Sequence, residues 1–148
     1  MKVIIGSDHA GFKLKEKIKK YLKMKKIEYI DLGTDSLESV DYPDYALKVA
    51  KQVAWNKNRR GILVCGTGTG MTIAANKVKG IRAVAAYDVY SARMSRTDND
   101  TNVLGLRGRY FPYEKVKKII NIWLNTPFSG EPRHERRLKK ISGLEKER

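Results

Sequence analysis

The sequence predicts an α/β protein in which a parallel sheet of five strands is covered by helices on both faces. Short apolar runs rich in β-branched residues alternate with longer segments of helical period along the 148 residues. One such run, residues 62–65, has no polar interruption, which is typical of a strand buried on both faces. The length corresponds to one ordinary domain, so we expect a single domain over residues 1–148.

Five aliphatic and β-branched runs are expected to be the strands: residues 2–6, 27–32, 62–65, 82–86 and 103–106. After the first strand, Leu14, Ile18 and Leu22 recur at helical spacing, and the other face of that helix is almost all Lys. Pro43 is placed to begin the second helix, and Gly61 is expected to end the basic connector before the third strand. The other helices are expected after a turn at residues 66–70, over residues 88–96, around residues 116–124 and over residues 133–148, docked by Leu138, Ile141 and Leu144.

The charge balance is strongly basic, with 31 Lys and Arg against 16 Asp and Glu and a formal net charge of +15. The excess is concentrated at the two ends, since residues 1–26 hold nine Lys and residues 133–148 hold seven Lys or Arg. Such a balance raises the question of an acidic partner, and a nucleic-acid-binding module is one alternative. No exposed aromatic residues are expected among the Lys of the first helix, so we expect no nucleic acid as a partner.

The chain has one Cys, Cys65, which cannot form an internal disulfide. A lone thiol is typical of a reducing compartment, and no apolar run approaches the ~18 residues that a membrane helix needs. We therefore expect a cytoplasmic protein with no membrane partner.

The loop after the first strand carries a carboxylate and an imidazole, Asp8 and His9, between Gly6 and Gly11. In open α/β sheets, ligands bind beyond the carboxyl ends of the strands, where this loop lies. The two Gly residues imitate a nucleotide phosphate loop, but Phe12 stands where that motif needs Lys, which argues against a nucleotide triphosphatase. A helix cap with a solvated His is the alternative interpretation.

The loop after the third strand reads Cys65-Gly66-Thr67-Gly68-Thr69-Gly70. Its backbone N–H groups can converge on an anion at the start of a helix, and aligned N–H groups favour the thiolate form of a cysteine. Met71 stands where a dinucleotide fingerprint would put its third Gly, so no nicotinamide cofactor is expected. A buried and inert Cys65 at the end of the strand is the alternative.

Candidate ligand groups also occur later in the chain. Asp98 and Asn99 lie in a polar segment that is expected to be a loop, and Arg109 follows the last strand. Arg133 and Arg137 are i, i+4 neighbours on the last helix, and two guanidinium groups at that spacing suit a phosphate dianion. A solvated basic face is the alternative for these two residues.

Seven segments together resemble the type B ribose-5-phosphate isomerases, a family that also includes the subunits of galactose-6-phosphate isomerase. The segments are GSDHAGF (6–12), DYPDY (41–45), CGTGTGMTIAANK (65–77), GIRAV (80–84), YSARMSR (90–96), NDTNVL (99–104) and RHERR (133–137). The resemblance implies a Rossmann-like three-layer α/β/α sandwich and a homodimer or dimer of dimers with active sites at the subunit interface. It also implies aldose–ketose isomerisation of a sugar phosphate without a metal or another cofactor.

The resemblance also implies a role for each matched residue. Cys65 is similar to the family's base, which moves a proton between C2 and C1 of the opened sugar through a cis-enediolate. The amides from Gly66 to Gly70, with the Thr67 hydroxyl, resemble its anion hole. The remaining matches are Asp8, His9 and Tyr42 for the sugar hydroxyls and ring oxygen, Asn99 for a contact from the neighbouring subunit, and Arg109, Arg133 and Arg137 for the phosphate.

Position 98 departs from the family's pattern. Many members have a His there, which is credited with opening the furanose ring, whereas this chain has Asp98. A carboxylate can accept a hydroxyl proton, but it is a poor general acid unless its pKa is raised. We hypothesise that Asp98 and His9 share ring opening, or that the substrate arrives already open.

The function expected from the resemblance is interconversion of ribose 5-phosphate and ribulose 5-phosphate in the pentose phosphate pathway. An isomerase of allose or galactose 6-phosphate is an alternative, since these sugars differ from ribose 5-phosphate by one hydroxymethyl unit. A non-catalytic paralogue that binds a sugar phosphate is less favoured, because Cys65, Thr67 and Asn99 occur in one chain with all three Arg residues.

Overall fold

The computed structural model describes residues 1–145, which contain five strands and six helices. The strands are β1 (Lys2–Ser7), β2 (Tyr29–Asp31), β3 (Arg59–Cys65), β4 (Ala83–Ala85) and β5 (Val103–Arg107). The helices are α1 (Phe12–Met24), α2 (Tyr42–Trp55), α3 (Thr69–Ala75), α4 (Val89–Asn99), α5 (Tyr113–Asn125) and α6 (Pro132–Leu144). Every strand pair is parallel, and the order across the sheet is β2-β1-β3-β5-β4.

Two apolar clusters cover the two faces of the sheet. Val3 and Ile5 of β1 face the cluster formed with α1, α4 and α5, whereas Ile4 faces the cluster formed with α2 and α3. This alternation is the side-chain period of a strand that is buried on both faces. The predicted α/β fold, a parallel sheet between two layers of helices, is confirmed.

The edge strands are shorter than the sequence predicts. β2 covers Tyr29–Asp31 instead of residues 27–32, and β4 covers Ala83–Ala85 instead of residues 82–86. At the outer edge of β4, the Asn76 amide donates to the Ala83 carbonyl (2.9 Å) and accepts from the Ala83 N–H (2.8 Å). A side chain therefore satisfies backbone groups that a further strand would otherwise pair with.

The prediction that Gly61 ends a connector is wrong, because β3 begins at Arg59 and contains this residue. A Cβ on Gly61 would lie 2.9 Å from Val103 and 3.2 Å from Val49 and Val53. Gly61 is therefore a point of close packing between β3, β5 and α2, and pattern alone does not separate that use of glycine from a turn.

Helix α4 is longer than the segment 88–96 that the sequence predicts. It begins after Asp88, whose carboxylate accepts from the Ser91 N–H (2.6 Å), and that bond holds the pKa of the Asp88 carboxyl below its ordinary value. It ends at Asn99, and Asp100 follows in the left-handed region with φ 44°. The prediction of a loop at Asp98 and Asn99 is therefore wrong, since both residues lie in the last turn of the helix.

Helix α6 was expected over residues 133–148, of which residues 146–148 lie outside the described part of the chain. Its buried contact is His134, whereas Ile141 and Leu144 of the expected apolar stripe are exposed. The last helix is therefore held at its beginning by His134 and just beyond its end by Glu145, whose carboxylate accepts from the Gly80 N–H (2.9 Å), and not by a buried apolar stripe. Within residues 1–145, no helix is long and apolar enough to cross a membrane.

Candidate active site

The loops after β1, β3 and β5 meet at the carboxyl edge of the sheet. Asp8 N–H donates to the Val64 carbonyl (3.3 Å), and Gly108 N–H donates to the Cys65 carbonyl (2.8 Å). The chain leaves β1 toward β2 and leaves β3 toward the opposite edge, so the ends of these adjacent strands form the crevice in which open parallel sheets bind ligands.

Cys65 is the last residue of β3, and its sulfur points into the loop that follows. The Gly68 N–H donates to Cys65 Sγ at 3.2 Å, and the side chain is 4% exposed. Gly68 has φ 82°, a conformation that turns the backbone back over the sulfur and that side chains disfavour. The structure therefore places the thiol at the inner wall of the loop, in contact with a backbone donor.

The amides of this loop fall into two groups. Two of them have acceptors within the loop, since Gly68 donates to the sulfur and Thr69 donates to Thr67 Oγ1 (3.2 Å). The N–H groups of Gly66, Thr67 and Gly70 have no acceptor among residues 1–145. These three N–H groups, and not all five, are available to a bound anion.

Asp8 and His9 lie beside the Cys65 loop with defined partners. Asp8 Oδ1 accepts from the Gly11 N–H (2.9 Å), so one carboxylate oxygen is used in the turn before α1. The Val40 N–H donates to His9 Nδ1 (3.2 Å), and a neutral His9 therefore carries its proton on Nε2. His9 thus offers an N–H donor at Nε2.

Arg109 and Tyr42 complete this group from two other elements. A Cβ on Gly66 would lie 3.4 Å from the Arg109 guanidinium, and a Cβ on Gly70 would lie 2.8 Å from the Tyr42 ring. Arg109 is anchored through its backbone, since its N–H donates to the Gly66 carbonyl (3.1 Å). One side of the Cys65 loop is therefore cationic, and an aromatic hydroxyl side chain lies over its end.

The other candidates form a second group at the opposite edge of the sheet. Asp98 and Asn99 lie at the end of α4, and Arg133 and Arg137 lie on α6, which packs against α4. Arg133 is paired with Glu131 (Nε–Oε2, 2.7 Å). These four residues therefore lie on two helices that pack together, and no contact in the described residues joins them to Cys65.

The separation follows from the direction of the strands and helices. The segment after α4 meets the beginning of β3, where the Gly61 N–H donates to the Asn102 carbonyl (2.8 Å). From Gly61 to Cys65 the strand rises about 3.3 Å per residue, which puts the two edges roughly 13 Å apart. One chain therefore carries two separate groups of candidate ligand residues, one at each edge of the sheet.

Sequence reasoning missed two residues that contact these groups. The Tyr87 hydroxyl donates to the Thr67 carbonyl (2.9 Å) and lies 3.1 Å from Thr69 Oγ1. His134 is 3% exposed, with Nδ1 2.7 Å from Ser129 Oγ and Nε2 3.7 Å from Asp98 Oδ1. His134 lies inside the RHERR segment, but nothing in its spacing indicates which helix it contacts.

The described residues hold no group of three or more His, Cys, Asp and Glu side chains arranged to bind a metal ion. The ionisable groups at the carboxyl edge each have a different neighbour: a backbone amide for Cys65, a turn for Asp8 and a backbone N–H for His9. This arrangement suits proton transfer and anion binding by the side chains and backbone themselves.

Comparison with models of known protein families identifies the family to which this chain belongs. Residues 3–141 match the family described as Ribose/Galactose Isomerase. The chain belongs to the ribose/galactose isomerase family. The resemblance that the motifs predict is confirmed.

Several members of the ribose/galactose isomerase family match this chain along nearly all of their length. Ribose-5-phosphate isomerase B of Escherichia coli (strain K12) is 46% identical over 147 residues, which are 99% of this chain and 98% of the relative. The structure of Clostridium thermocellum ribose-5-phosphate isomerase B has a TM-score of 0.96 at 49% identity and covers 99% of both chains. That of Mycoplasma genitalium ribose-5-phosphate isomerase B, with bound ribulose-5-phosphate, has a TM-score of 0.94 at 40% identity, covering 99% of this chain and 97% of that one.

Proposed function

We propose that this protein interconverts ribose 5-phosphate and ribulose 5-phosphate by proton transfer. The observation that carries the proposal is the Cys65 loop, where a thiol, free backbone N–H groups and a guanidinium face one crevice. Its membership of the ribose/galactose isomerase family supports the reaction class, and the relative with bound ribulose-5-phosphate supports the substrate.

Cys65 is the proposed base. The thiolate removes the C2 proton of the open-chain aldose, the C2–H electron pair forms the C1–C2 double bond, and the carbonyl oxygen becomes the enediolate oxygen. The proton of the C2 hydroxyl passes to the C1 oxygen, the thiol returns its proton to C1, and the ketose carbonyl forms at C2. The bond from the Gly68 N–H fixes the position of the sulfur within the loop.

The free N–H groups of Gly66, Thr67 and Gly70 are the proposed anion hole for the enediolate oxygen. Fixed donors stabilise the charge that develops during proton transfer and need no reorganisation, and removal of one such donor typically costs about 3 kcal/mol of barrier lowering. Arg109, beside Gly66, adds positive charge for the phosphate of the same substrate.

Ring opening is proposed to be divided between His9 and Asp98. His9 offers the Nε2–H to the ring oxygen, and the Asp98 carboxylate accepts the proton of the anomeric hydroxyl. The two residues lie at opposite edges of the sheet, so Asp98 would come from a second copy of the chain. The same copy would supply Asn99, and its Arg133 and Arg137 would join Arg109 at the phosphate.

The proposed active unit is therefore a homodimer, or a dimer of dimers, with each site at the interface between two copies. A two-fold arrangement lets the carboxyl edge of one copy meet the α4–α6 edge of the other, and symmetry then makes two equal sites. The proposed setting is the cytoplasm, with the small sugar phosphate as the only other partner.

The test is steady-state kinetics of the wild-type protein and the Cys65→Ala variant on ribose 5-phosphate, allose 6-phosphate and galactose 6-phosphate. We expect ribose 5-phosphate to be preferred and Cys65→Ala to lower kcat by about 10²- to 10⁴-fold, the usual contribution of a positioned base. Exchange of the C2 proton with solvent, followed by NMR, should stop in the variant. A preference of more than tenfold for a hexose phosphate would overturn the substrate, and continued exchange in Cys65→Ala would overturn the base.

A further inference from the structure

The junction between α4 and β5 holds Asn99 on an unusually constrained backbone. The next residue, Asp100, has φ 44° and ψ 47°, a left-handed conformation that residues other than Gly rarely adopt. Such a conformation persists where surrounding contacts determine it, and it often accompanies a functional site. The contacts that fix it come from two arginines.

Arg82 and Arg96 hold the Asp100 carboxylate from two sides. Arg82 Nη2 lies 2.8 Å from Asp100 Oδ2, and Arg96 Nη1 lies 2.7 Å from Asp100 Oδ1. Arg82 also donates to two backbone carbonyls, from Nε to Asn99 (2.9 Å) and from Nη2 to Asp100 (2.8 Å). We call these three side chains the Arg82–Asp100–Arg96 clamp.

The two arginines of the clamp differ in what they support. Arg96 is buried and donates to the Thr101 carbonyl (2.6 Å), and the Thr101 hydroxyl accepts from Trp123 Nε1 (2.9 Å), so Arg96 belongs to the core behind the turn. Arg82 is partly exposed and is the one that reaches Asn99. The Asn99 side chain itself is exposed and has no hydrogen bond within residues 1–145.

We propose that Arg82 is a positioning residue for catalysis, which fixes Asn99 so that its free amide side chain reaches the substrate in the site of a second copy. This inference rests on the proposed two-copy site. Arg82 would act in trans, since its side chain bonds to Asn99 and Asp100 and has no bond to the Cys65 loop among residues 1–145. Its effect is geometric, because the guanidinium holds the Asn99 carbonyl and the turn that follows.

The first test is the kinetics of Arg82→Met, Arg82→Lys and Asp100→Asn. A displacement of about 1 Å can cost a hundredfold in rate, so we expect Arg82→Met to lower kcat about ten- to hundredfold with little change in KM. Asp100→Asn removes the carboxylate charge but keeps a residue that tolerates φ > 0, and it should also lower kcat. Arg82→Lys should retain intermediate activity, because Lys keeps the charge without the planar fork.

Arg60→Met is the matched control. Arg60 lies near the clamp and carries the same charge, but its donors go to the Lys57 and Arg59 carbonyls. We expect wild-type kcat for this variant. A fall equal to that of Arg82→Met would show that lost positive charge is responsible, and it would overturn the proposal, as would wild-type kcat in Arg82→Met.

The decisive test mixes chains. Co-expression of Cys65→Ala with Arg82→Met gives hybrid dimers with one chain of each kind. One of the two sites in a hybrid combines the intact Cys65 of the Arg82→Met chain with Asn99 of the Cys65→Ala chain, whose clamp is intact. We expect about a quarter of wild-type activity, because half of the dimers are hybrids and each has one complete site. Co-expression of Cys65→Ala with Asn99→Ala should recover the same fraction and tests the two-copy site itself.

The outcomes separate the two proposals. Recovery with Asn99→Ala but not with Arg82→Met would overturn the role of Arg82 and leave the two-copy site intact. Recovery with neither would overturn the two-copy site. Circular dichroism of each variant checks that it is folded. Recovery of activity in the hybrids is a second check, because a misfolded Arg82→Met or Asn99→Ala chain would not supply a working Cys65.

Discussion

The hydroxyl of Tyr87 connects two residues of the Cys65 loop. The Tyr87 hydroxyl donates to the Thr67 carbonyl, and the Thr69 hydroxyl lies within hydrogen-bond distance of the Tyr87 hydroxyl oxygen. The peptide plane that carries the Thr67 carbonyl also carries the Gly68 N–H, which donates to the Cys65 sulfur. Tyr87 therefore orients the amide that holds the proposed base.

Substitution Tyr87→Phe should lower kcat and leave the fold intact. A net contribution of about 1 kcal/mol for the hydrogen bond corresponds to a fall of roughly fivefold. Tyr110→Phe is the control, since Tyr110 is 92% exposed and its hydroxyl has no partner in the described chain. Equal kinetics of Tyr87→Phe and the wild type would contradict this role.

Residues of the proposed site differ in how far the sequence predicts them. Cys65 and His9 directly follow or end strands whose apolar pattern is clear, so their place at the carboxyl edge could be predicted. The contact of Tyr87 with this loop could not be predicted, because it depends on the path of the chain after β4. The spacing of apolar and β-branched residues does not predict that path. The hydrogen bond from the Thr69 N–H to Thr67 Oγ1 could not be predicted from the sequence either, because several local hydrogen bonds compete in such a loop.

Helix α1 and strand β2 are joined by a partly buried ion pair. The Lys15 ammonium is almost fully buried and lies 2.7 Å from Asp31 Oδ2 and 2.7 Å from the Thr34 carbonyl, and Lys19 lies 2.8 Å from the same Asp31 oxygen. Burial, the largest single effect, raises the pKa of the Asp31 carboxyl. The hydrogen bonds from Lys15, Lys19 and the Gly33 N–H, together with the charge of Lys15, lower it by more, so the pKa lies below its ordinary value. This pair holds the segment that leads to Val40, whose N–H contacts His9.

The lowered pKa of Asp31 predicts how stability depends on pH. The unfolded chain protonates this carboxyl at a higher pH, near 3.9, than the folded chain does, so the pair stabilises the fold fully above about pH 5 and loses its effect as the pH falls. In urea unfolding, Asp31→Asn should therefore be less stable than the wild type at pH 7, and the difference should shrink toward pH 3. Asp35→Asn, at an exposed position, should show a much smaller difference at every pH. A difference for Asp31→Asn that stays constant from pH 7 to pH 3 would refute the assignment.

Among the helices and strands, the sequence predicts kind and order better than bounds. The central strands pair on both sides, so their apolar runs are long and recognisable, whereas β2 and β4 at the edges keep only three paired residues each. Helix α4 continues through Thr97, Asp98 and Asn99 because the Arg82–Asp100–Arg96 clamp and the Thr101 contacts stabilise its end. Tertiary contacts of this kind override the low helix propensity of polar residues.

For the whole molecule, the main consequence of the fold is the division of the proposed site. The groups that end or follow β1, β3 and β5 lie at the carboxyl edge. Asp98 and Asn99 end the returning helix α4 at the other edge, and Arg133 and Arg137 lie on α6, which packs against α4. Asp98, Asn99 and the two arginines of α6 therefore lie away from Cys65 within one chain, which is why the proposed site includes a second copy. Pattern alone gives no distance between the two groups, because that distance depends on the length and direction of the strands.

The net charge of +15 predicts an effect of salt on the proposed reaction. A positive field attracts a phosphate dianion, and screening shortens its range from about 30 Å at 0.01 M salt to about 10 Å at 0.1 M. We expect kcat/KM for ribose 5-phosphate to fall several-fold across that range, while kcat changes little because Arg109 and its neighbours act at short range. Replacing Lys13, Lys17 and Lys20, which are exposed on α1, by Gln should reproduce part of the fall at low salt. Unphosphorylated ribose, measured as a control, should show no such dependence, and a salt-independent kcat/KM for the phosphate would mean that the lysine-rich face only keeps the protein hydrated.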